Sequence, residues 1–435
     1  MKTVNVGLVG VGTVGRGVFE VLRRNCEEIS RRTGREIIVS AASARNVRKA
    51  EEFLGSTVKV YEDPFDVVRD KNVDIVIELI GGTTTARALI EESISLSKPV
   101  VTANKALIAE HGNELFARAR ANGSIVAYEA AVAGGIPIIK ALREGLAANR
   151  IDSVAGIVNG TTNFILSEMR DKGISFQDAL ADAQQLGYAE ADPTFDIEGI
   201  DAGQKLAIIA AVTFGISIQP KRVYCEGITN LTEADIRAAE DFGYRVKLLA
   251  ITKRKAGGLE MRVHPTLVHH KCVIASVDGP MNAVLVEGDA VGPTLYYGAG
   301  AGAEPTASAV IADLIDVVRL QGSDVAAHVP HLAFQEERLS DVPILDMGEV
   351  ESSFYLRLRV RDEPGVLSDI AGILAEYKVS IEAMRQRESD ANGEGVDIVI
   401  FTHKTKENSI NHALKKISGL DAIYYTPARL RIEVF

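Results

Sequence analysis

An apolar run, Thr3–Val9, ends in GVGTVGRG, where Gly10, Gly12 and Gly15 satisfy G-x-G-x-x-G. Apolar residues then recur at helical spacing over 14–24 (Val14, Val18, Val21, Leu22), so the glycines fall between a predicted strand and a predicted helix. Few architectures accept that order. Gly10 permits a tight turn, Gly12 lets the backbone approach a pyrophosphate, and Gly15 lets the helix close onto the strand. The helix start then offers amide donors to phosphate. A ligand-free turn satisfies the same glycines, so the motif dictates an open α/β sheet first and a dinucleotide only in context.

The context follows in order. A second strand is expected over 36–42, ending where an adenosine ribose would lie and where NAD-selective sites carry an Asp or Glu. Here stand Ser40, Ala41, Ala42 and Ser43, followed by Arg45, Arg48 and Lys49. The missing acid and the added cations suit a 2′-phosphate, hence NADP(H) as the preferred cofactor with NAD(H) as the alternative. The same cations also suit the solvated face of a helix. Strands over 72–80 and 99–102 end at Gly81-Gly82-Thr83 and at Ala103-Asn104-Lys105, and ligands bind at such carboxyl ends. A Lys at a helix start opposes the helix dipole, which favours a ligand role for Lys105. After a strand over 124–128, Glu129 precedes AAVAGGIPII, where irregular backbone beside a carboxylate can present oxygens to a hard cation.

Residues 187–205, GYAEADPTFDIEGIDAGQK, gather Glu190, Asp192, Asp196, Glu198 and Asp201 ahead of Lys205, before the apolar LAIIAAVTFGI. A helix beginning near Gly199 puts Asp201 and Lys205, at i and i+4, on one face. Acids at a helix start also satisfy the macrodipole, and a lone surface ion pair contributes little. With Gly187, Pro193 and Gly199 shaping the loop, the stretch reads as a functional carboxylate and ammonium pair.

Beyond residue 140 the pattern changes. A strand over 151–158 leads to Asn159-Gly160-Thr161-Thr162-Asn163 and a helix over 164–170, and Ser175 with Asp178 and Thr232 with Asp235 read as helix caps. Strands are expected over 246–252, 261–263, 283–286 and 293–297. Gly298, Gly300 and Gly302 then precede Pro305 as either a loop closing over a cofactor or a connector. Residues 321–350 read as a linker, and 351–435 as a ferredoxin-like β-α-β-β-α-β module. The net charge of −11 and the absence of a long apolar run argue against nucleic-acid or membrane partners. No signal peptide is expected at the N-terminus, and Cys26, Cys225 and Cys272, without metal-ligand spacing, suit reduced thiols in a cytoplasmic protein.

With these residues in place, the chain resembles homoserine dehydrogenases carrying a C-terminal ACT domain. The motif from Ala183 through Gly187, Glu190, Asp192, Pro193, Asp196, Gly199, Asp201 and Lys205 carries the resemblance, with NGTTNF at 159–164, ANKALIAEHG at 103–112 and YEAAVAGGIP at 128–137. The resemblance implies a Rossmann NAD(P)-binding domain over 1–140, an α+β catalytic and dimerisation domain over 141–320, the linker, and an ACT domain over 351–435. It implies reduction of L-aspartate 4-semialdehyde to L-homoserine, on the route to threonine, methionine and isoleucine. Lys205 is then the proton donor, Glu190 and Asp201 hold the substrate amine, and Lys105 lies near nicotinamide and substrate. Gly10, Thr13, Val14, Arg45, Gly187 and Gly302 match cofactor contacts, beside Gly12 and Gly15 from the motif. Glu129 with the carbonyls of Val132, Gly134 and Ile136 matches a sodium site. A threonine effector at the ACT domain, near Asp362, Pro364 and Gly365, and a homodimer or homotetramer complete the implied picture. Another amino-acid aldehyde as substrate, or a catalytically silent amino-acid sensor, are the competing readings; the intact Glu190, Asp201 and Lys205 set argues against the first, and the intact Lys205 and glycine loop against the second.

Overall fold

The computed structural model describes residues 3–323, 328–387 and 395–435. The chain divides into two compact units that interleave in sequence: Met1–Gly160, Ile200–Val223 and Pro280–Val342 form the first, and Thr161–Gly199, Tyr224–Gly279 and Pro343–Phe435 the second.

The first unit is built on a six-stranded parallel sheet in the order Lys59–Tyr61, Glu36–Ser43, Thr3–Val9, Ile75–Glu78, Val100–Thr102, Val126–Ala127. Ile75–Glu78 is buried along its whole length, as a central parallel strand covered on both faces must be. The order reverses beside Thr3–Val9, so the Gly10 turn and the end of Ile75–Glu78 sit together at the crevice where such sheets bind ligands. The helix Thr13–Arg24 packs Val18, Val21 and Leu22 into a core shared with Ala307, Val310 and Leu314 of the helix Ala303–Leu320. The two helices approach closely at Gly17, where an added Cβ would stand 2.5 Å from the Ala303 carbonyl oxygen. Three antiparallel strands, Ile151–Ile157, Met281–Gly288 and Gly292–Ala299, complete this unit's sheets.

In the second unit the hairpin Tyr244–Lys255 and Gly258–His269 pairs over twelve residues of each strand. Gly258–His269 also pairs in parallel with Ala428–Glu433. From there the sheet runs through Glu351–Val360, Val396–Thr402 and Ile381–Arg387, all antiparallel. With the helices Val366–Glu376 and Glu407–Ile417, these last four strands form the expected ferredoxin-like module.

Several elements differ in length from their sequence patterns. Gly258–His269 is far longer than the expected 261–263 because it is buried on both faces and carries Glu260, Arg262 and His264 inside, which erases any alternation. The strand expected over 124–128 shrinks to Val126–Ala127, since Glu129–Ala131 already turns as a 3-10 helix. The helix expected over 164–170 begins at Gly160, the polar NGTTN residues serving as its first turn. Of the expected linker, 324–327 lie outside the described residues; the remainder carries the short turns Glu336–Arg338 and Met347–Glu349 and a single parallel bridge from Ile344 to Leu259.

Candidate active site

The helix Ile200–Phe214 holds Asp201 and Lys205 on one face, as the spacing requires. Lys205 Nζ donates to Asp201 Oδ2 at 2.7 Å and to the Val158 carbonyl at 2.7 Å. Asn159 Nδ2 donates to the same carboxylate oxygen at 2.8 Å. Lys105 Nζ reaches the other oxygen, Oδ1, at 2.9 Å. Asp201 is 2% exposed, so a buried carboxylate lies between two ammonium groups drawn from separate segments of the chain. Burial alone would raise its pKa, but Lys205 and Lys105 outweigh burial and hold it at about 2. The cluster therefore carries two positive charges against one negative, a net cation suited to an oxygen that gains charge during a reaction.

Lys105 owes its place to the end of the strand Val100–Thr102. It opens the helix Lys105–Ala121, whose N-cap is Asn104, with Asn104 Oδ1 accepting from Leu107 N–H at 3.1 Å. Behind it lies Glu78, wholly buried, whose Oε2 accepts from the Thr102 hydroxyl at 2.7 Å. Sequence reasoning missed Glu78, Thr102 and Asn159. A carboxylate inside the otherwise apolar stretch IVIELI was the available signal for Glu78; Asn159 had its place in a polar turn and at the head of NGTTNF.

A cavity of about 590 Å³ opens at the carboxyl ends of Thr3–Val9 and Glu36–Ser43, with Gly10, Gly12, Thr13, Arg16, Arg45 and Lys49 among its lining residues. Gly10 has φ +103° and an added Cβ there would press on the Leu79 carbonyl. At Gly15 an added Cβ would fall 2.1 Å from the Gly10 carbonyl oxygen, so the helix can close only on a glycine. At Gly12 nothing lies within 4 Å, and it is the N-cap of the helix without a side-chain cap. That leaves open space beside an uncapped helix start, an arrangement suited to a pyrophosphate. Arg48 turns instead to Glu52 on the surface, whereas Arg45 and Lys49 face the cavity, opposite Glu62. Val14 lies in the first turn of the same helix and does not line the cavity. Gly302, at φ +129°, is the N-cap of Ala303–Leu320.

Glu129 is buried, with Oε1 and Oε2 accepting from the backbone N–H groups of Ile139 at 2.9 Å and Lys140 at 2.7 Å. Its own N–H donates to buried Asp313 at 2.7 Å. Burial, then the neighbouring Asp313, pushes the Glu129 pKa up to about 7, and burial pushes Asp313 up to about 6. Ala133 and Gly134, at φ +55° and +53°, turn the backbone sharply between Val132 and Ile136. Among the described residues no three His, Cys, Asp or Glu side chains form a metal-binding group, so any cation here would rest largely on backbone carbonyls.

Gly187 and Glu190 belong to the second unit. Gly187, at φ +77°, follows the helix Phe176–Gln185, and the exposed Glu190 is fixed through its carbonyl, which accepts from Gln184 Nε2 at 3.0 Å. Of the other acids, Asp192 accepts from the Thr194 N–H and hydroxyl, and Glu198 from the Thr229 hydroxyl. Thr161 Oγ1 donates to the Tyr188 carbonyl at 2.7 Å, tying the polar turn to the acidic loop.

Comparison with known proteins gives a consistent result. Residues 10–129 match the homoserine dehydrogenase NAD-binding domain, 137–315 match homoserine dehydrogenase, and 354–422 match the ACT domain. The homoserine dehydrogenase of Pseudomonas aeruginosa is 54% identical over 433 residues, covering 100% of this chain and 99% of its own, and that of Bacillus subtilis is 36% identical over the same length and coverage. The crystal structure of a homoserine dehydrogenase from Thiobacillus denitrificans superposes with a TM-score of 0.94 at 59% identity, covering 100% of this chain and 99% of that one. A hyperthermophilic archaeal homoserine dehydrogenase solved in complex with NADPH is 27% identical, with a TM-score of 0.63, over 74% of this chain and 99% of that one.

Proposed function

The chain belongs to the homoserine dehydrogenase family of NAD(P)-dependent oxidoreductases, and on that premise we propose that it reduces L-aspartate 4-semialdehyde to L-homoserine with Lys205 as the proton donor. The observation that carries the reading is the convergence of the Lys205 and Lys105 ammonium groups on the buried Asp201. A reduced nicotinamide, held at the glycine turn, would supply the hydride for the aldehyde carbon. The aldehyde oxygen gains a full negative charge in that step, and the Lys205 ammonium both stabilises it and delivers the proton that completes the alcohol. Asp201 orients Lys205, and Lys105 balances the Asp201 charge after the proton has left, so the site ends neutral rather than anionic.

The substrate is a zwitterion, so carboxylates are wanted for its ammonium. A carboxylate has roughly four acceptor positions, and Lys205, Lys105 and Asn159 occupy three of those on Asp201. One position is left for the substrate amine, and exposed Glu190 is the second carboxylate assigned to it.

The cofactor is assigned to the glycine turn, with Gly10, Gly12 and Thr13 at the pyrophosphate, Gly15 closing the turn, and Val14, Lys105, Gly187 and Gly302 as further contacts. Arg45 and Lys49 favour NADP(H) over NAD(H), in keeping with the NADPH bound by the archaeal relative. A sodium ion is assigned to the Glu129 carboxylate and the carbonyls of Val132, Gly134 and Ile136. These are hard oxygen donors, and the buried Glu129 carboxylate stands beside the sharply turned backbone at Ala133 and Gly134. The ACT domain is assigned an amino-acid effector, threonine by the logic of end-product feedback, beside Gly365 at φ +100°. A homodimer or homotetramer and a place on the route to threonine, methionine and isoleucine follow from the same reading.

Mixing the protein with L-aspartate 4-semialdehyde and NADPH tests the assignment by loss of nicotinamide absorbance and formation of L-homoserine. Turnover is expected with NADPH and, less efficiently, with NADH. Replacing both Arg45 and Lys49 by Ala should raise the KM for NADPH by about a hundredfold or more while moving that for NADH little, since each lost charged contact is worth about 1.5–3 kcal/mol. Nucleotide binding without turnover would overturn the proposal.

A further inference from the structure

Glu78 is a buried carboxylate that the reaction above does not use. Its Oε1 accepts from the backbone N–H groups of Ile80 at 2.9 Å and Gly81 at 3.2 Å, and its Oε2 from the Thr102 hydroxyl at 2.7 Å. Thr102 Oγ1 in turn accepts from Asn104 N–H at 3.0 Å. Asn104 then spends both ends of its carboxamide: Nδ2 donates to the Gly82 carbonyl at 2.7 Å and Oδ1 caps the helix that opens with Lys105. These bonds close a bracket. One arm is the loop after Ile75–Glu78, where Leu79 and Ile80 line the nucleotide cavity and Gly81 and Gly82 both take φ +73°. The other arm is the loop after Val100–Thr102, which delivers Lys105 to Asp201.

Burying a carboxylate among neutral donors is costly, and an apolar residue would fill a central strand end more favourably. What the carboxylate provides is direction. Two adjacent strands are parallel and share no hydrogen-bonded loop, so nothing in the sheet itself fixes the relative placement of the residues that follow them. Glu78 and Thr102 supply that link, the first directly before the cavity wall at Leu79 and Ile80, the second three positions before the helix start at Lys105.

We propose that Glu78 and Thr102 are positioning residues for Lys105, acting through the Asn104 cap to hold its ammonium on Asp201 and in register with the nucleotide cavity. The inference rests on the reading of Lys105 as part of the reaction centre and deepens it. Both side chains are wholly buried, and neither lines the nucleotide cavity.

The test uses the full-length chain and four variants: Thr102→Val, Thr102→Ser, Lys105→Ala and the double variant of Thr102→Val with Lys105→Ala. Val removes the hydroxyl at constant shape, and Ser restores it. Thr102→Val is expected to lower kcat by about tenfold to a hundredfold, as misplacement of a catalytic group does, while leaving the Kd for NADPH within about threefold. Thr102→Ser should return kcat towards wild type, and the double variant should be no slower than Lys105→Ala alone, because two residues acting through one group do not multiply. Multiplying losses, an unchanged kcat in Thr102→Val, or a Ser variant as slow as Val would overturn the inference and leave the assignment of Lys105 standing. Wild-type turnover in Lys105→Ala would overturn both. Should Thr102→Val fail to fold, Glu78→Gln, which keeps the shape and the acceptor for Ile80 and Gly81, takes its place in the same cycle with the same expected pattern.

Discussion

Asp201 is the residue on which the reaction centre turns, and its chemistry fixes how it responds to change. Asp201→Asn keeps the shape but leaves the Lys105 and Lys205 ammonium groups without their shared counter-charge. A loss of about 3–5 kcal/mol in unfolding free energy is expected, the usual consequence of removing one partner from a buried ion pair. The pH dependence has a definite sign. Folded Asp201 titrates at about 2 against an ordinary value of 3.8, so the unfolded chain takes up the proton first as pH falls. Its contribution is complete above roughly pH 5 and is lost as pH drops towards 2. Thermal melts between those limits should therefore show a shallower acid loss in Asp201→Asn than in wild type. The i,i+4 spacing made the Asp201 and Lys205 pair legible in sequence. The arrival of Lys105 and Asn159 at the same carboxylate was not, because no local pattern reports which strand ends a fold brings together.

At the scale of elements, the strand-turn-helix at Gly10 makes contrasting demands on its glycines. Gly15→Ala would set a Cβ 2.1 Å from a backbone carbonyl that cannot move without opening the turn. It should destabilise the protein by about 1–3 kcal/mol and weaken nucleotide binding together. Gly12→Ala meets nothing within 4 Å, so it should fold with nearly wild-type stability and still lose NADPH affinity, because its methyl takes the space a pyrophosphate needs. Calorimetric melts beside fluorescence titration of NADPH separate the two, and equal stability losses would refute the distinction. The glycine turn and the caps at Ser175 and Thr232 were legible because capping and turning are local chemistry. Strand lengths in the second unit were not, since Lys247, Glu260, Arg262 and His264 are buried there, and polar residues inside a sheet read as loop until their partners are known.

At the scale of the whole molecule, the C-terminal module is joined to the preceding chain by more than a linker. Thr266, Leu267 and Val268 pair with Arg431, Ile432 and Glu433. Arg431 is wholly buried between Glu407 at 2.7 Å and Glu226 at 2.9 Å, and Glu433 bonds Arg262 at 2.5 Å. Arg431→Met should cost about 3 kcal/mol, the low end for a broken buried ion pair, because Glu407 and Glu226 lose one guanidinium partner and keep Arg429 at 2.8 Å and 3.4 Å. The loss should appear as one transition shared by the module and the hairpin Tyr244–Lys255 and Gly258–His269, measured by hydrogen exchange; loss of protection confined to the module would contradict it. The module's own β-α-β-β-α-β order was readable from alternating patterns. Its parallel seam with a strand far upstream was not, because such pairing is set by tertiary contacts alone.

The most direct test of the reaction centre is the kcat/KM for L-aspartate 4-semialdehyde with saturating NADPH in Lys205→Ala against wild type. Asp201 keeps Lys105 and Asn159 in that variant, so the fold and the affinity for NADPH should hold. The rate should fall by about a hundredfold to ten-thousandfold, the range for loss of a positioned proton donor. A well-folded Lys205→Ala protein that turns over within a few-fold of wild type would contradict the account at its centre.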